Sequence, residues 1–441
     1  MSGTARATRL RRPGPVAGDG SGPQRPAGRI AVLCYHTSPL AQPGERDAGG
    51  MNVYVQASAT ALAALGYRVD VFTRATVPGQ KIITIAPGAR LVPIVAGPAA
   101  PVEKAALPDF VDAFGAGVVA FAAQEQRHYA LVHSHYWLSG LAGMRLAGAW
   151  SAPHVVMFHT LGEVKNRSRL GEREPAVRVD GERRIVQAAD RIVCATAHEG
   201  SLLHSLYGAE PARLITIPCG VDVDLFQPSP RADELRRSLG EERVLLYAGR
   251  IEPLKGLDLV IRALAQLDEP RPLLLIAGGD GFAEPEIARL RRVARQEGVE
   301  ERVRFLGAVP QHDLPAYYSA ADVCVVPSYY ESFGMAALEA QACGTPVVAF
   351  RVGGLPGVLR DGETGYLVPW RCPEPFAERL DLLLRNEPLR RSLGAAAREW
   401  ALQFRWPVIA QQLAALYASL AVERMASGTP DGTLPAPRGV A

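Results

Sequence analysis

Residues 327–350 read PSYYESFGMAALEAQACGTPVVAF, and this stretch determines the fold prediction. An apolar run at 322–328 leads into it, a helical pattern is predicted from Glu331 to Gly344, and a second apolar run, PVVAF, follows. Strand, turn, helix and strand at this spacing predict one repeating unit of a parallel α/β sheet.

Two glutamates in this unit, Glu331 and Glu339, predict a ligand site. We expect Glu331 at the helix N-terminus and Glu339 about two turns deeper on the same face, both accepting hydrogen bonds from hydroxyls. The backbone N–H groups of Phe333, Gly334 and Met335 would hold a phosphate, with Gly334 allowing close approach. Sugar hydroxyls, a diphosphate and a ribose are the parts of a nucleotide sugar, which is therefore the predicted ligand. The alternative is that Glu331 only caps a helix and that Glu339 lies on a solvated face.

The string ESFGMAALEAQACGTPVV resembles the E-x7-E signature of the retaining family-4 glycosyltransferases of the GT-B fold. The resemblance covers a whole strand–helix–strand unit. It implies an α/β protein with two Rossmann-like, doubly wound parallel-sheet domains that face each other across a cleft.

The rest of the chain repeats the same alternation of strands and helices. Apolar runs separated by helical stretches lie at 30–36, 67–73, 89–95, 130–135, 153–158, 191–196 and 213–218, and then at 243–249, 272–278, 302–307, 322–328, 346–350 and 365–369. Two such series predict two doubly wound domains, each with a parallel sheet covered by helices on both faces.

The domain boundaries follow from the loop-rich, proline-containing segment at 218–230. We predict an N-terminal acceptor domain at 28–220 and a C-terminal nucleotide-sugar domain at 221–405. The resemblance implies that a last helix, 406–426, returns to the first domain. The ends, a basic extension at 1–27 and a tail at 427–441, are predicted to be disordered because they are rich in Gly and Pro.

Composition is that of an ordinary globular protein. The 441 residues are 48% hydrophobic and 21% charged, with a net charge of +3, which does not indicate a nucleic-acid partner. We expect no membrane span, because no apolar stretch reaches bilayer length. The six cysteines form no C-x-x-C pair, which predicts reduced thiols, no zinc site and a cytoplasmic location.

The segment YAGRIEPLKG at 247–256 supplies Arg250 and Lys255 directly after a predicted strand. Two cations on such a loop can neutralise a diphosphate, although two solvated surface cations are the alternative. The pattern G-R-x4-K-G of the resembled family implies that these two residues stabilise the leaving nucleotide diphosphate.

The loop HTSPLAQPGERDAGGMNVYV at 36–55 resembles the inositol-phosphate N-acetylglucosaminyltransferases of mycothiol biosynthesis. Gly49 and Gly50 would leave room for a ligand above a helix N-terminus. By this resemblance the loop contacts both substrates: the donor through Gln42, Pro43 and Gly50, and the acceptor through His36, Asp47, Gly49, Gly50, Met51 and Asn52.

The same resemblance implies an acceptor-phosphate pocket made by Lys104, Tyr136, Thr160 and Arg178. It also places His159, in FHTLGEVKN, near the reacting sugar carbon. His133 and His135 are predicted to be structural.

The resemblance requires no cofactor or catalytic metal. In some relatives a structural magnesium is held at the positions of Tyr318, Ser319, Ala321 and Thr345, but Ser319 replaces a usual arginine.

The predicted function is transfer of N-acetylglucosamine from UDP-N-acetylglucosamine to 1D-myo-inositol 3-phosphate with retained configuration. His159, Arg250, Lys255 and Glu331 are the predicted catalytic residues. The alternatives are a related transferase with another UDP- or ADP-sugar and another sugar-phosphate or lipid acceptor, and a nucleotide-sugar-binding protein without turnover. A monomer and a homodimer both remain open.

Overall fold

The computed structural model describes residues 28–41, 49–168, 173–240, 243–279 and 283–426. The predicted disordered ends lie outside this part of the chain, as do the predicted site residues Gln42, Pro43 and Asp47.

The first domain is built on an eight-stranded sheet in the order β3-β4-β2-β1-β5-β6-β7-β8. Its strands are Arg29–Leu33 (β1), Arg68–Arg74 (β2), Ile83–Ala86 (β3), Ala89–Ile94 (β4), Leu131–His135 (β5), His154–Met157 (β6), Arg191–Cys194 (β7) and Leu214–Thr216 (β8). All neighbours pair in parallel except β3, which runs antiparallel to β4 at the edge.

The second domain is built on a six-stranded parallel sheet in the order β11-β10-β9-β12-β13-β14. Its strands are Val244–Ala248 (β9), Leu273–Ala277 (β10), Val303–Gly307 (β11), Val323–Val326 (β12), Val347–Phe350 (β13) and Gly365–Val368 (β14). In both sheets the chain starts near the middle and winds outwards in both directions, which confirms the prediction of doubly wound α/β architecture.

Helices connect the strands and cover both faces of the sheets. In the first domain they are Gly50–Ala64 (α1), Val111–Gln124 (α2), Trp137–Trp150 (α3), Gly162–Ser168 (α4), Ala176–Ala188 (α5) and Ala197–Tyr207 (α6). The others are Ala232–Ser238 (α7), Leu257–Ala265 (α8), Glu284–Gln296 (α9), Leu314–Ala320 (α10), Met335–Ala342 (α11), Leu355–Val358 (α12), Pro373–Arg385 (α13), Glu387–Ala401 (α14) and Trp406–Ala426 (α15).

One apolar core runs continuously through both domains. It includes Val69 in the first sheet, Val347 in the second and Leu413 on α15, all fully buried. Two further clusters fill the other face of each sheet. Central strands such as β9 and β10 are buried along their whole length, as parallel strands covered on both faces must be.

Helix α15 packs on the first domain after the chain has completed the second. The Tyr417 hydroxyl lies 2.7 Å from Nδ1 of His133 on β5, and the ring of Trp406 lies 5.5 Å from that of Tyr54 on α1. The last helix therefore ties the two domains together on the side of the shared core.

The helix near Glu331 begins later than the sequence pattern indicates. Gly334 has φ +109°, a conformation that ends helical propagation on its N-terminal side, so α11 starts at Met335. The prediction that Glu331 lies at the helix N-terminus is therefore wrong: it lies in the preceding loop, where its carbonyl accepts a hydrogen bond from the Gly354 N–H (2.8 Å).

Residues 104–124 form one helical stretch that is long and apolar enough, by length and composition alone, to cross a membrane. The expectation that no stretch reaches this length is wrong. A single such helix is weak evidence, because core helices pass the same test. Here Phe114 and Val118 are fully buried in the first-domain core, and Pro108 lies in a 3-10 turn that precedes α2.

Candidate active site

A cavity of about 380 Å³ lies between the two domains. Its walls come from the segments that follow β1, β5 and β6 in the first domain and β9, β10 and β12 in the second. These are the carboxyl ends of the strands, where parallel α/β sheets bind ligands.

The N-terminal ends of α1 and α11 meet across this cavity. A Cβ atom on Gly50 would lie 3.3 Å from Cγ of Met335, so the backbone of one domain closely approaches a side chain of the other. Both helix ends carry free N–H groups and the positive end of a helix dipole. The cavity is therefore suited to an anionic ligand that contacts both domains.

Lys255 and Glu331 form an ion pair in the second-domain wall. The Lys255 Nζ lies 2.7 Å from Oε2 of Glu331, and the Ser328 hydroxyl donates to the same oxygen at 3.3 Å. Gly256 makes this geometry feasible: it has φ +64°, and a Cβ atom there would lie only 2.2 Å from the Pro327 carbonyl oxygen. The cation loop thus packs directly on the loop that carries Glu331.

Arg250 also lines the cavity, but its side chain is half-exposed and pairs with Glu252 at 3.1 Å. Because the pair is solvated, its partner can be exchanged for a ligand at low cost. Arg250 and Lys255 are brought together on one wall, as the loop pattern predicts.

Glu339 lies deeper in the same wall and is 9% exposed. Its Oε2 accepts a hydrogen bond from the Tyr318 hydroxyl at 2.9 Å. Burial raises the pKa of Glu339 to about 7, although the Tyr318 hydrogen bond acts in the opposite direction. The side chain therefore titrates close to neutral pH. Phe333, Gly334 and Met335 lie between Glu339 and Glu331 along the cavity wall.

His159 lies in the first-domain wall with an uncommon backbone conformation, φ +62°. Its Nε2 lies 3.0 Å from Nδ1 of His135 at the end of β5. Burial, and then the charge of His36, lower the pKa of His159 to about 3. His159 is therefore a neutral hydrogen-bonding group at physiological pH, and His135 contacts it directly as well as being structural.

Arg178 forms the floor of the acceptor half, the part of the cavity wall contributed by the first domain. It is 1% exposed. Its Nε donates to Glu182 (2.8 Å), and its Nη2 donates to the carbonyl and hydroxyl oxygens of Thr160 (2.9 and 3.0 Å). Its Nη1 lies 2.9 Å from Glu174. Arg178, predicted as a phosphate-binding cation, is thus already paired with two carboxylates of the protein.

Two buried polar atoms in this half have no hydrogen-bond partner: the Tyr136 hydroxyl and Nδ1 of His36. Buried polar groups are normally satisfied, so two such atoms in one cavity wall are suited to a polar ligand. The Lys104 Nζ lies 6.0 Å from the centre of the Tyr136 ring. All four residues predicted to bind the acceptor phosphate line the cavity.

The loop at 49–52 also lines the cavity. The Asn52 amide, however, is already used: it donates to the Thr37 hydroxyl (2.9 Å) and the Ser38 carbonyl (2.7 Å) and accepts from the Gly49 N–H (3.0 Å). Asn52 therefore holds the loop in shape, and the loop backbone with Met51 is what remains for a ligand.

The sequence reading missed Lys165, which lines the cavity and lies 2.6 Å from Glu174. Lys165 could have been predicted from the sequence, because it lies in the same FHTLGEVKN segment as His159. Glu174 itself carries no recognisable motif.

The oxygens considered for a structural magnesium fit that ion poorly. The Thr345 hydroxyl donates to the Tyr318 carbonyl at 2.6 Å, and the Ser319 hydroxyl accepts from the Ser229 N–H at 2.9 Å. The Arg236 guanidinium donates to the Ala320 carbonyl at 2.8 Å, which places a cation in the same turn.

Both domains match known protein families. Residues 48–225 match the model of glycosyltransferase family 4, and residues 232–400 match that of glycosyl transferases group 1.

Similar proteins are known at useful identity. A D-inositol 3-phosphate glycosyltransferase of Mycobacterium marinum is 44% identical over 88% of this chain and 85% of its own length. One of Mycobacterium bovis is 45% identical over 91% of this chain and 88% of its own.

Among solved structures, sucrose-phosphate synthase from Thermosynechococcus elongatus has a TM-score of 0.81 at 34% identity, covering 90% of this chain and all of that one. The Anabaena protein HepE, solved with UDP and glucose, has a TM-score of 0.71 at 21% identity, covering 89% of this chain and 100% of its own, and supports the fold alone.

Two facing Rossmann-like domains with a cleft between them are the architecture of the GT-B glycosyltransferases, to which the similar solved structures also belong. The two family matches cover most of both domains, and the Mycobacterium relatives align over most of both chains. The chain belongs to glycosyltransferase family 4, and its second domain matches the glycosyl transferases group 1.

Proposed function

We propose that this glycosyltransferase moves N-acetylglucosamine from UDP-N-acetylglucosamine to 1D-myo-inositol 3-phosphate and retains the anomeric configuration. The observation that carries the acceptor is the pair of unsatisfied buried polar atoms on Tyr136 and His36, which lie in the same cavity wall as the cations Lys104 and Arg178. The names of the 44–45% identical relatives support inositol phosphate as that acceptor.

The second-domain wall would bind the donor diphosphate. Lys255 and the N-terminal end of α11 face the cavity, where a cation and free N–H groups stabilise charge that develops on a leaving group. Arg250 would leave Glu252 and complete the set. Because Lys255 and the N–H groups of α11 are fixed before the reaction, these two need little reorganisation at the moment of bond cleavage.

Glu331 and Glu339 would orient the donor by accepting hydrogen bonds from its hydroxyls. Glu331 is held by Lys255 and Ser328, so its free oxygen can accept from the transferred sugar. Glu339, beside Tyr318, would accept from the ribose.

His159 would contact the sugar near the reacting carbon. Its depressed pKa excludes a permanent positive charge, which would oppose the positive charge developing on the sugar. In this proposal the acceptor hydroxyl attacks on the face from which the diphosphate departs, and the diphosphate takes the acceptor proton. The acceptor oxygen forms the new glycosidic bond as the phosphate–sugar bond breaks, and the hydroxyl proton goes to the diphosphate. No covalent enzyme intermediate is formed.

A second candidate is transfer to another sugar phosphate. The sucrose-phosphate synthase structure at 34% identity and a TM-score of 0.81 favours it, and the same phosphate pocket would serve. The donor would then be a different UDP- or ADP-sugar.

One experiment tests both candidates. Purified protein is incubated with UDP-N-acetylglucosamine, UDP-glucose or ADP-glucose against inositol 3-phosphate, unphosphorylated inositol or fructose 6-phosphate, and products are identified by mass spectrometry and NMR. We expect N-acetylglucosaminyl inositol phosphate with an α-linkage. Equal use of inositol and its phosphate would contradict the phosphate pocket, and an inverted linkage would contradict the mechanism.

We further propose a cytoplasmic location, because all six cysteines are free thiols and five of them are buried. Alkylation of the protein from cells with and without reduction would detect any disulfide.

A further inference from the structure

The carboxylate of Glu174 bridges two cations of the acceptor half. Its Oε1 lies 2.6 Å from Nζ of Lys165, and its Oε2 lies 2.9 Å from Nη1 of Arg178. The Glu174 backbone is fixed by Asn166, whose Oδ1 accepts from the Glu174 N–H at 2.7 Å. Both cations line the cavity, whereas Glu174 reaches them from behind its wall.

Arg178 does not need Glu174 to hold its position. Glu182 accepts from its Nε and Thr160 accepts from its Nη2, so two sides of the guanidinium are already anchored. The third nitrogen, Nη1, lies 2.9 Å from Oε2 of Glu174. Removal of the Glu174 charge therefore leaves the other two anchors of Arg178 in place.

The two carboxylates beside Arg178 differ in how fully they are used. Glu182 is fully buried and also accepts from the Gly162 N–H and from the Tyr207 hydroxyl (2.5 Å), which makes it part of the scaffold. Glu174 is 12% exposed, and within the part of the chain that the structure describes its carboxylate pairs with Lys165 and Arg178 only. Burial raises the pKa of Glu174, but the charges of Arg178 and Lys165 outweigh this and lower it, so Glu174 is ionised at neutral pH.

We infer that Glu174 competes with phosphate for Lys165 and Arg178 and thereby limits the affinity of the acceptor half for anions. It is a specificity-determining residue. Glu174 neutralises part of the positive charge of the two cations, so a free phosphate ion is attracted only weakly. An acceptor binds more tightly because its ring hydroxyls make additional contacts. The inference deepens the proposed function, since it rests on the same pocket binding the acceptor phosphate.

The test measures binding of inorganic phosphate to the full-length protein by calorimetry. The protein is saturated with UDP, which occupies the donor half, the part of the cavity wall contributed by the second domain. In Glu174→Gln the amide keeps the shape and removes the charge, and we expect the dissociation constant for phosphate to fall by at least about threefold. Glu174→Asp keeps the charge and should stay within about twofold of the wild type. The matched control is Glu163→Gln, which removes a carboxylate that pairs with the exposed Arg167 outside the cavity.

A kinetic measurement accompanies the binding assay. With inositol 3-phosphate, Glu174→Gln should lower the acceptor KM and the inhibition constant of inorganic phosphate, while kcat stays near that of the wild type. Glu174→Ala must also lower the dissociation constant for phosphate. This variant excludes the possibility that the glutamine amide itself binds phosphate.

Unchanged or weaker phosphate binding in both neutral variants would overturn the inference, because Glu174 would then serve to position the cations. Absence of measurable phosphate binding in every variant would also overturn it. The binding assay involves no acceptor, so failure of the wild type to glycosylate inositol 3-phosphate would refute the proposed function and leave this inference to be judged separately.

Discussion

The two halves of the cavity are built in opposite ways. The donor half comes from short, contiguous segments of the second domain, where Lys255 pairs with Glu331 and the half-exposed Arg250 pairs with Glu252. The acceptor half is assembled from side chains that lie far apart in the first domain, and its central cation, Arg178, is buried and paired with both Glu174 and Glu182. Each donor-half cation thus has one carboxylate partner and is partly exposed, whereas Arg178 lies between two carboxylates that a ligand must match.

The largest effect should come from the donor half. Lys255→Ala removes a cation beside the leaving diphosphate, and we expect kcat to fall by about 30-fold or more, roughly 2–4 kcal/mol of transition-state stabilisation. Steady-state kinetics with saturating acceptor measures this. Lys81→Ala, which changes an exposed lysine outside the cavity, is the control. Normal turnover in Lys255→Ala would remove this lysine from the mechanism.

The acceptor half predicts a different response for each of its cations. Among the described residues, no carboxylate lies within ion-pair distance of Lys104, so Lys104→Met should raise the acceptor KM by at least about tenfold, roughly 1.5–3 kcal/mol, with UDP affinity nearly unchanged. Kinetics with inositol 3-phosphate and calorimetry with UDP separate the two quantities, and Lys81→Met is the control. A KM within twofold of the wild type would exclude Lys104 from the phosphate site.

Arg178→Ala should instead lower the stability of the fold. It leaves the fully buried Glu182 without its cation, which typically costs about 3–5 kcal/mol. Thermal unfolding measures this, and Arg178→Ala combined with Glu182→Gln should recover part of the loss. A melting temperature equal to that of the wild type would show that the network contributes no stability, and would restore Arg178 as a simple ligand-binding cation.

The same contrast explains what the sequence could and could not predict. The apolar runs located every strand except β3, whose sequence, ITIA, is short, partly exposed and confined to the antiparallel edge. The donor residues were predictable because they lie within one or two motifs. The helix start at Met335 was not, because the conformation of Gly334 depends on packing: a Cβ atom there would lie 2.7 Å from Leu355.

The acceptor residues were named only through a resemblance, and their pairing could not be inferred from it. Glu182 and Glu174 are surface-like glutamates in the sequence, and only the fold places them against Arg178. The charge balance of a buried site depends on which helices pack together, here α4 and α5. A short sequence motif does not show which helices pack together.

The effect that is smallest near neutral pH comes from a comparison of two buried carboxylates. Burial raises the pKa of both Glu339 and Glu199 to about 7, yet only Glu339 lines the cavity. A protonated Glu339 can accept fewer hydrogen bonds from ribose hydroxyls, so UDP affinity should fall by up to about tenfold for each pH unit below 7 and level off above it. Calorimetry between pH 5.5 and 8.5, roughly one and a half units either side of that pKa, measures the slope.

Glu339→Gln should bind UDP more weakly at pH 8 and lose most of this slope, whereas Glu199→Gln should retain it. Glu199→Gln should act on stability instead. A carboxyl whose pKa is raised on folding binds more protons in the folded state between its ordinary value and about 7, so in the wild type the free energy of unfolding falls as pH rises through that window. Replacing Glu199 by an uncharged amide removes the contribution of Glu199 to this decrease in the free energy of unfolding. An unchanged UDP slope in Glu339→Gln would mean that the ribose is held elsewhere, and the donor half would then lack the two-glutamate arrangement that distinguishes it from the acceptor half.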